Sequence, residues 1–266
     1  MKILSVSTII FNNGELDWSS IKNAGFDFVE ARCDDIIPDD DPSVLEDIGK
    51  TLKKNSLTLS SIHSFYRGVD ISSEDRWLKT KSIREIEKSI ATAHCLSCGN
   101  VVIHLSDRIK NQESKEKLLS NALESVKEAS ILAQRFSVKL LLENLPTGML
   151  LSDTDELERV VGMGFNLCFD LGHALLTGID PVEFCRRHKS NIREIHVHFN
   201  NGSSDSHSFF TGIREQRLLS EVSSVLPDDM IYTLEMKPER SLTEMNKVLK
   251  MALNTKPEEG SKDDTH

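Results

Sequence analysis

Short apolar runs rich in β-branched residues alternate with longer amphipathic runs along nearly the whole chain. This alternation constrains the fold more than any other feature. The apolar runs predict strands at 2–7, 26–30, 57–63, 100–104, 138–143, 165–170, 192–198 and 230–235. The amphipathic runs predict helices near 17–24, 43–54, 74–97, 114–136, 153–162, 180–189, 214–226 and 241–252. Consecutive parallel strands need a helical crossover, so the alternation predicts a parallel α/β sheet.

Eight strand–helix units that close on themselves form a (β/α)8 TIM barrel, and a chain of 266 residues has the length of one. The alternative is an open doubly wound sheet. That fold needs a Gly-rich phosphate loop after its first strand, where this chain has TIIFNNG. We therefore predict a single TIM barrel over residues 1–253. The polar segment 254–266, NTKPEEGSKDDTH, lacks periodicity and is predicted to be a disordered tail.

The composition and the N-terminal sequence predict where the protein is located and which partners it does not favour. Hydrophobic residues make up 38% of the chain, and no run approaches the roughly 18–20 apolar residues that cross a bilayer, so we predict no membrane span. The N-terminal sequence MKILSVSTIIFNNG lacks a cleavage site and predicts a strand, not a signal peptide, which makes a cytoplasmic location the expectation. A net charge of −10 disfavours general attraction to nucleic acid or anionic membranes. The five scattered cysteines do not suggest a disulfide framework.

Metal-capable side chains recur at the last position of predicted strands. They are His63, His104, Glu143, Asp170, His198 and Glu235. In a TIM barrel the carboxyl ends of the strands converge on one face, where the active sites of this fold lie. Several carboxylates placed together there would repel one another and lose hydration. A bound cation resolves both costs.

Further donors follow two of these strands. Asp170-Leu-Gly-His173 adds an imidazole at a helix start, where Gly172 is expected to permit a tight turn. Asp205 and His207 follow the seventh strand. His196 and His198 share one strand face; His198 is the better candidate ligand, and His196 is predicted to lie behind the ligands or in the core. These mixed N and O donors predict zinc or manganese, with one to three ions.

Six motifs carry a resemblance to a known family: IHSFY, VVIHLS, LLENLP, CFDLGHA, HVHFNNGSSDSH and TLEMK. The chain resembles the xylose isomerase-like TIM barrels, which include sugar isomerases and epimerases as well as endonuclease IV. The resemblance covers residues 1–252. Its sugar branch implies one divalent ion, with two glutamates as acid and base; the ligands would be Glu143, Asp170, His198 and Glu235, and the acid and base Glu143 and Glu235. Its endonuclease branch implies three zinc ions on nine ligands: His63, His104, Glu143, Asp170, His173, His198, Asp205, His207 and Glu235.

The charge of one segment decides between these branches. Residues 34–47, DDIIPDDDPSVLED, hold seven acids and no base, and would be repelled by DNA phosphates. We therefore predict a metal-dependent sugar or sugar phosphate isomerase or epimerase. The alternative is an endonuclease IV-like zinc phosphodiesterase acting on abasic sites in DNA. A non-catalytic sensor is disfavoured because the ligand set is complete.

Contacts to the substrate are predicted from four further residues: Glu30, Tyr66, Arg214 and Lys237. Glu30 ends the second predicted strand, and Lys237 shares a strand face with Glu235. Arg214 follows the Gly212 turn at a helix start, where an anion would be stabilised. The expected partner is a small sugar, with DNA only under the alternative, and the sequence is compatible with a homo-oligomer.

Overall fold

A computed structural model describes residues 2–11, 14–37, 41, 43–109, 114–200, 202–210, 212–237 and 240–255. Its strands are Ile3–Ser7 (β1), Phe28–Arg32 (β2), Thr58–His63 (β3), Asn100–Ile103 (β4), Lys139–Glu143 (β5), Asn166–Asp170 (β6), Ile192–Val197 (β7) and Ile231–Leu234 (β8). Each strand pairs in parallel with the next, and β8 pairs with β1. The predicted (β/α)8 barrel is confirmed.

The helices occupy the outer layer around this sheet. They are Trp18–Asn23 (α1), Cys33–Ile36 (α2), Val44–Lys54 (α3), Arg76–Cys95 (α4), Lys115–Arg135 (α5), Thr154–Gly162 (α6), Leu171–Thr177 (α7), Pro181–His188 (α8), Ile213–Val225 (α9) and Leu242–Asn254 (α10). Each predicted helix is present. The sequence pattern did not predict α2 as a helix, and gave only the start of α7, because both are too short to show a helical period.

Side chains fix the starts of several helices. Asp17, Asp75, Ser114, Asp153, Asp180 and Ser241 each accept a hydrogen bond from a main-chain N–H in the first turn. Asp170 does the same for α7 by accepting from the His173 N–H at 2.7 Å. Such caps satisfy amides that have no partner within the helix. The cap of α7 therefore holds a candidate ligand at the strand end.

The main core lies between the sheet and the helices, where the outward-facing strand residues pack against α4, α5 and their neighbours. The inside of the barrel differs from the branched apolar filling that is usual for this fold. A small apolar group, Val102, Leu141 and Cys168, occupies part of it. The remainder is a buried polar cluster of Glu30, Ser61, Glu194, His196 and Thr233.

Most of the predicted tail 254–266 is outside the part of the chain that the structure describes. Helix α10 runs to Asn254, and the rest of the predicted tail beyond Thr255 lies outside the described residues. Of the acidic segment 34–47, positions 38–40 and 42 also lie outside them. Within the described part of the chain, every helix is too short or too polar to span a membrane.

Candidate metal centre

All the predicted ligands lie at the carboxyl end of the barrel, and the structure brings them together in three groups of donor atoms. Within each group, one donor atom per residue lies within 4.8 Å of the others. The first group is His63, His104 and Glu143; the second is Glu143, Asp170, His196 and Glu235; the third is His173, His198, Asp205 and His207. Glu143 belongs to two groups, so it can bridge two ions.

The first group converges on one carboxylate oxygen. His63 Nε2 lies 3.3 Å and His104 Nε2 lies 2.9 Å from Glu143 Oε2. The other ring nitrogen of His63, Nδ1, lies 3.0 Å from the main-chain oxygen of Ser64. That oxygen can only accept, so it orients the ring.

The third group repeats this arrangement on Asp205. His173 Nε2 and His207 Nε2 each lie 3.2 Å from Asp205 Oδ2. Their Nδ1 atoms lie 2.9 Å and 2.8 Å from the main-chain oxygens of Asn144 and Glu235. His198 stacks on His207 with ring centroids 3.9 Å apart, and its Nε2 lies 2.9 Å from Asp170 Oδ1. Asp170 thereby links the second and third groups.

This geometry fits divalent ions. When Nδ1–H donates a hydrogen bond to a main-chain oxygen, a neutral imidazole directs the lone pair of Nε2 at a carboxylate oxygen. The two lone pairs repel unless a cation or a second proton lies between them. Several buried donor atoms in the second and third groups also lack a hydrogen bond: Asp170 Oδ2, His196 Nδ1, both ring nitrogens of His198, and Glu235 Oε2. Such atoms are costly to bury without a ligand.

The pKa values of the imidazoles also fit a site for cations. Burial opposes the charge on His63, but the hydrogen bond to Glu143 and the charge of Glu30 raise its pKa to about 9. Burial likewise opposes the charge on His207, and Asp205 and Glu235 raise its pKa to about 9. Without an ion, these imidazoles carry protons that compensate the carboxylates. A bound cation would take over that role.

The imidazoles in turn lower the pKa values of the neighbouring carboxylates. Burial alone would raise the pKa of Glu143, but the charges of His104 and His196 hold it well below its usual range. Burial also opposes ionisation of Asp205, whose pKa is held low by hydrogen bonds from His173 and His207. Both side chains are therefore anionic and available as ligands.

The second group differs from the sequence-based prediction in its imidazole. His196 Nδ1 lies 3.0 Å from Glu235 Oε2 and 3.3 Å from Glu143 Oε1, so His196 faces the carboxylates directly and is not behind the ligands. His198 lies just beyond the end of β7 and is turned towards the third group. The sequence signal for His196 was its even spacing from His198 on the same strand.

A cavity of about 290 Å³ opens onto this centre. Its lining includes His63, His104, Glu143, His173, Asp205, His207 and Glu235, together with Arg32 and Tyr66. The volume is near the lower end of small-molecule sites, roughly 300–1,000 Å³. This volume suits one small polar molecule. On the wall of the cavity, the Arg32 guanidinium donates two hydrogen bonds to Asp35, each 2.7 Å long.

Comparison with known proteins places the chain in a family. A sequence model of the xylose isomerase-like TIM barrel family matches residues 18–254. The chain belongs to this family. Two uncharacterized proteins of Methanocaldococcus jannaschii are among its relatives. One is 22% identical over 209 residues, which are 77% of this chain and 80% of the relative. The other is 26% identical over 158 residues, which are 55% of this chain and 53% of the relative.

Solved structures with the xylose isomerase-like fold include three close matches in shape. A D-tagatose 3-epimerase-like protein has a TM-score of 0.81 at 22% identity, covering 94% of this chain and 96% of its own. An L-ribulose 3-epimerase has a TM-score of 0.78 at 16% identity, covering 95% of each chain. The IolI protein with a bound zinc atom has a TM-score of 0.76 at 18% identity, covering 94% and 95%. At these identities the likeness shows the fold.

The four residues predicted to contact the substrate lie in four different places in the structure. Tyr66 lines the cavity of this xylose isomerase-like barrel, with its ring 5.5 Å from that of His104. Glu30 is fully enclosed inside the barrel, where a substrate cannot reach it. Arg214 lies on a separate groove of about 730 Å³ between α8 and α9. Lys237 is exposed and does not line the cavity.

Gly172 serves a purpose other than the expected tight turn. It lies inside α7 with a negative φ, so any residue could adopt its backbone conformation. A Cβ atom at this position would overlap the ring of His198. Gly172 is therefore needed for the close approach of the imidazole to the helix.

Replacing Gly172 by Ala should displace His198 from the third group. We expect a loss of unfolding free energy of about 1–3 kcal/mol from overpacking and weaker binding of one ion. Urea unfolding and metal analysis of the purified variant measure the two effects. Gly162→Ala is the matched control, because the space around that helical glycine is open. Equal stability and metal content in the two variants would contradict the role given to Gly172.

Proposed function

We propose that this protein is a divalent-metal-dependent isomerase or epimerase of a small sugar or sugar phosphate. The observation that carries the proposal is the pair of strand-end glutamates. Glu143 ends β5, and Glu235 directly follows β8, three strands further round the barrel. The two side chains line the same small cavity and have carboxylate oxygens within 4.8 Å of one another. The ions proposed are zinc or manganese, from one to three per chain.

In this proposal the metal ligands activate the sugar, and the two glutamates transfer protons. A divalent ion held by Glu143, Asp170, Glu235 and an imidazole would polarise the carbonyl and adjacent hydroxyl of the sugar. One glutamate takes the proton from the carbon next to that carbonyl, and the other returns a proton to the sugar. Return to the opposite face of the same carbon gives an epimer; return to the neighbouring carbon gives an isomer.

Other cavity residues have supporting roles in this proposal. The Tyr66 ring forms one wall beside His63 and His104, and its hydroxyl is the group proposed to bind a sugar hydroxyl. Leu145, Pro146 and Met149 form an apolar wall that limits the access of water to the reacting carbons. The names of the structural neighbours, which include ketose 3-epimerases, favour a ketose as substrate.

A specific observation favours a second candidate. Three donor groups with Glu143 shared between two of them could hold three ions, which suits a zinc phosphodiesterase of the endonuclease IV type. The acidic segment 34–47 opposes this candidate. Arg32 forms an ion pair with Asp35, and Lys50 forms ion pairs with both Glu46 and Asp47. These two bases are fewer than the seven acids of the segment, and the excess of acids would repel DNA.

A parallel assay distinguishes the two candidates. The zinc-loaded and manganese-loaded proteins are each offered a panel of ketoses and ketose phosphates, and in separate reactions a DNA duplex with one abasic site. We expect conversion of at least one sugar and no strand cleavage. Cleavage of the abasic duplex without turnover of any sugar would replace the proposed function by the second candidate.

Charge neutralisation in the acidic segment gives an independent prediction. Replacing Asp39, Asp40 and Asp41 by Asn should leave kcat/KM for an uncharged sugar within about twofold, because such a substrate carries no net charge for these carboxylates to repel. For a ketose phosphate the value should rise modestly. A large gain in DNA affinity together with new cleavage activity would support the endonuclease candidate instead.

A further inference from the structure

A buried carboxylate, Glu30, lies inside the barrel below the metal centre, and it contacts the metal centre through the imidazole of His196. Glu30 and His196 have no solvent exposure. Both belong to the polar cluster that replaces part of the usual apolar filling. Burying such groups costs free energy unless they are hydrogen-bonded or paired with an opposite charge.

The imidazole of His196 spans the space between Glu30 and the metal centre. Its Nε2 forms a 2.9 Å hydrogen bond with Glu30 Oε2. Its Nδ1 lies on the other side, 3.0 Å from Glu235 Oε2 and 3.3 Å from Glu143 Oε1, but makes no hydrogen bond. The ring is therefore fixed at one nitrogen and open at the other.

The chemistry of the two groups fixes the tautomer. A carboxylate oxygen accepts hydrogen bonds, so in the 2.9 Å contact Nε2 of His196 donates its N–H to Glu30. In the neutral imidazole, Nδ1 then carries the lone pair. This lone pair faces the oxygens of Glu143 and Glu235, where a cation would receive it.

We propose that Glu30 is a positioning residue that orients His196 as the imidazole ligand of the ion in the second group. The inference rests on the proposed metal-dependent function. His63, His173 and His207 are oriented by main-chain oxygens, whereas His196 is oriented by a carboxylate. A carboxylate partner makes the imidazole a stronger electron donor, so the ion in this group is bound more tightly.

The same cluster supplies a matched control. Glu194 is as buried as Glu30, but its hydrogen bonds come from Ser61 and Thr233 and not from His196. Burial and the charge of Glu30 raise the pKa of Glu194 to about 7. Glu194→Gln keeps the size of the side chain and leaves the hydrogen bond between Glu30 and His196 in place.

The test compares Glu30→Gln, Glu30→Leu and Glu194→Gln with the unaltered protein. Zinc affinity is measured by competition with a chromophoric chelator, and the ligand field by the visible spectrum of the cobalt-loaded protein. We expect Glu30→Gln to bind one ion about 10-fold more weakly, and Glu30→Leu up to about 100-fold more weakly. Both should shift the cobalt bands. Glu194→Gln should stay within about threefold of the unaltered protein and keep its spectrum.

Two results would overturn the inference. One is unaltered zinc affinity and cobalt spectrum in Glu30→Gln, which retains the size of the side chain and tests the idea even where Glu30→Leu does not fold. The other is an equal loss in Glu30→Gln and Glu194→Gln, which would indicate a general disturbance of the barrel interior. Because these readouts do not depend on turnover, a protein that converts no sugar can still confirm the inference while the proposed function fails.

Discussion

Replacement of either Glu143 or Glu235 by Gln is expected to lower kcat for the sugar by about 10²- to 10⁴-fold, the usual contribution of a positioned acid or base. The amide keeps the shape of the side chain and an oxygen that can face an ion, but it cannot take a proton from carbon. Steady-state kinetics with the sugar identified in the substrate panel measure the effect. KM should change much less than kcat.

The metal content of each variant is measured in parallel, because both glutamates also belong to the second donor group. A variant that keeps its ions and loses turnover shows the acid and base role directly. Glu156→Gln is a suitable control, since this partly enclosed carboxylate pairs with Lys115 at the start of α6 and lies away from the cavity. Full activity in either Glu143→Gln or Glu235→Gln would remove the proposed mechanism.

Removal of bound ions should abolish turnover and destabilise the fold. An ion at a hundredfold excess over its Kd stabilises the folded state by about 2.7 kcal/mol. For a protein of this size that is a fall in Tm of roughly 5–10 °C for each ion lost. Without ions, the carboxylates of the three donor groups keep only the protonated imidazoles as compensation.

Thermal unfolding and activity after treatment with a chelator measure both effects. Zinc or manganese should restore the Tm and the activity, and the number of ions needed gives the occupancy of the three groups. Magnesium should be less effective, because it prefers a shell of oxygen ligands. A Tm and activity that do not respond to the chelator would contradict a metal centre at this face.

The fold and most of the site could be predicted because the alternation of strands and helices extends along the chain. Once a barrel is inferred, each strand end points to the same face, so His63, Glu143 and Asp170 could be brought together without coordinates. The same logic found His104 and Glu235. Side-chain type and strand position were sufficient for these residues.

The position of Glu30 could not be predicted, because it depends on where β2 ends. The strand runs to Arg32, and a register shift between Val29 and Glu30 interrupts its pairing with β3. Glu30 is therefore two residues deeper in the barrel than a strand-end residue. A single-residue shift of this kind leaves no mark on the hydrophobic pattern.

The orientation of His198 depended on a similar detail. Strand β7 ends at Val197, with a register shift between Leu167 and Cys168 on the neighbouring strand. The alternation of faces along a strand no longer governs a residue beyond its end. His198 therefore turns towards Gly172 and the third group, while His196 lies in the second group with Glu143. Helix α7 packs against β7 beside His198, and the hydrophobic pattern of the sequence does not predict this contact.

The most direct test of the central claim is the conversion of a ketose in D₂O, followed by proton NMR. With the metal-loaded protein, the signal of the hydrogen on the carbon next to the carbonyl should disappear as the product forms, because the second glutamate returns a deuteron from solvent. Glu143→Gln should show neither product nor exchange. Formation of product that retains the original hydrogen, or the absence of any conversion by a protein that cleaves abasic DNA, would contradict the two-glutamate account.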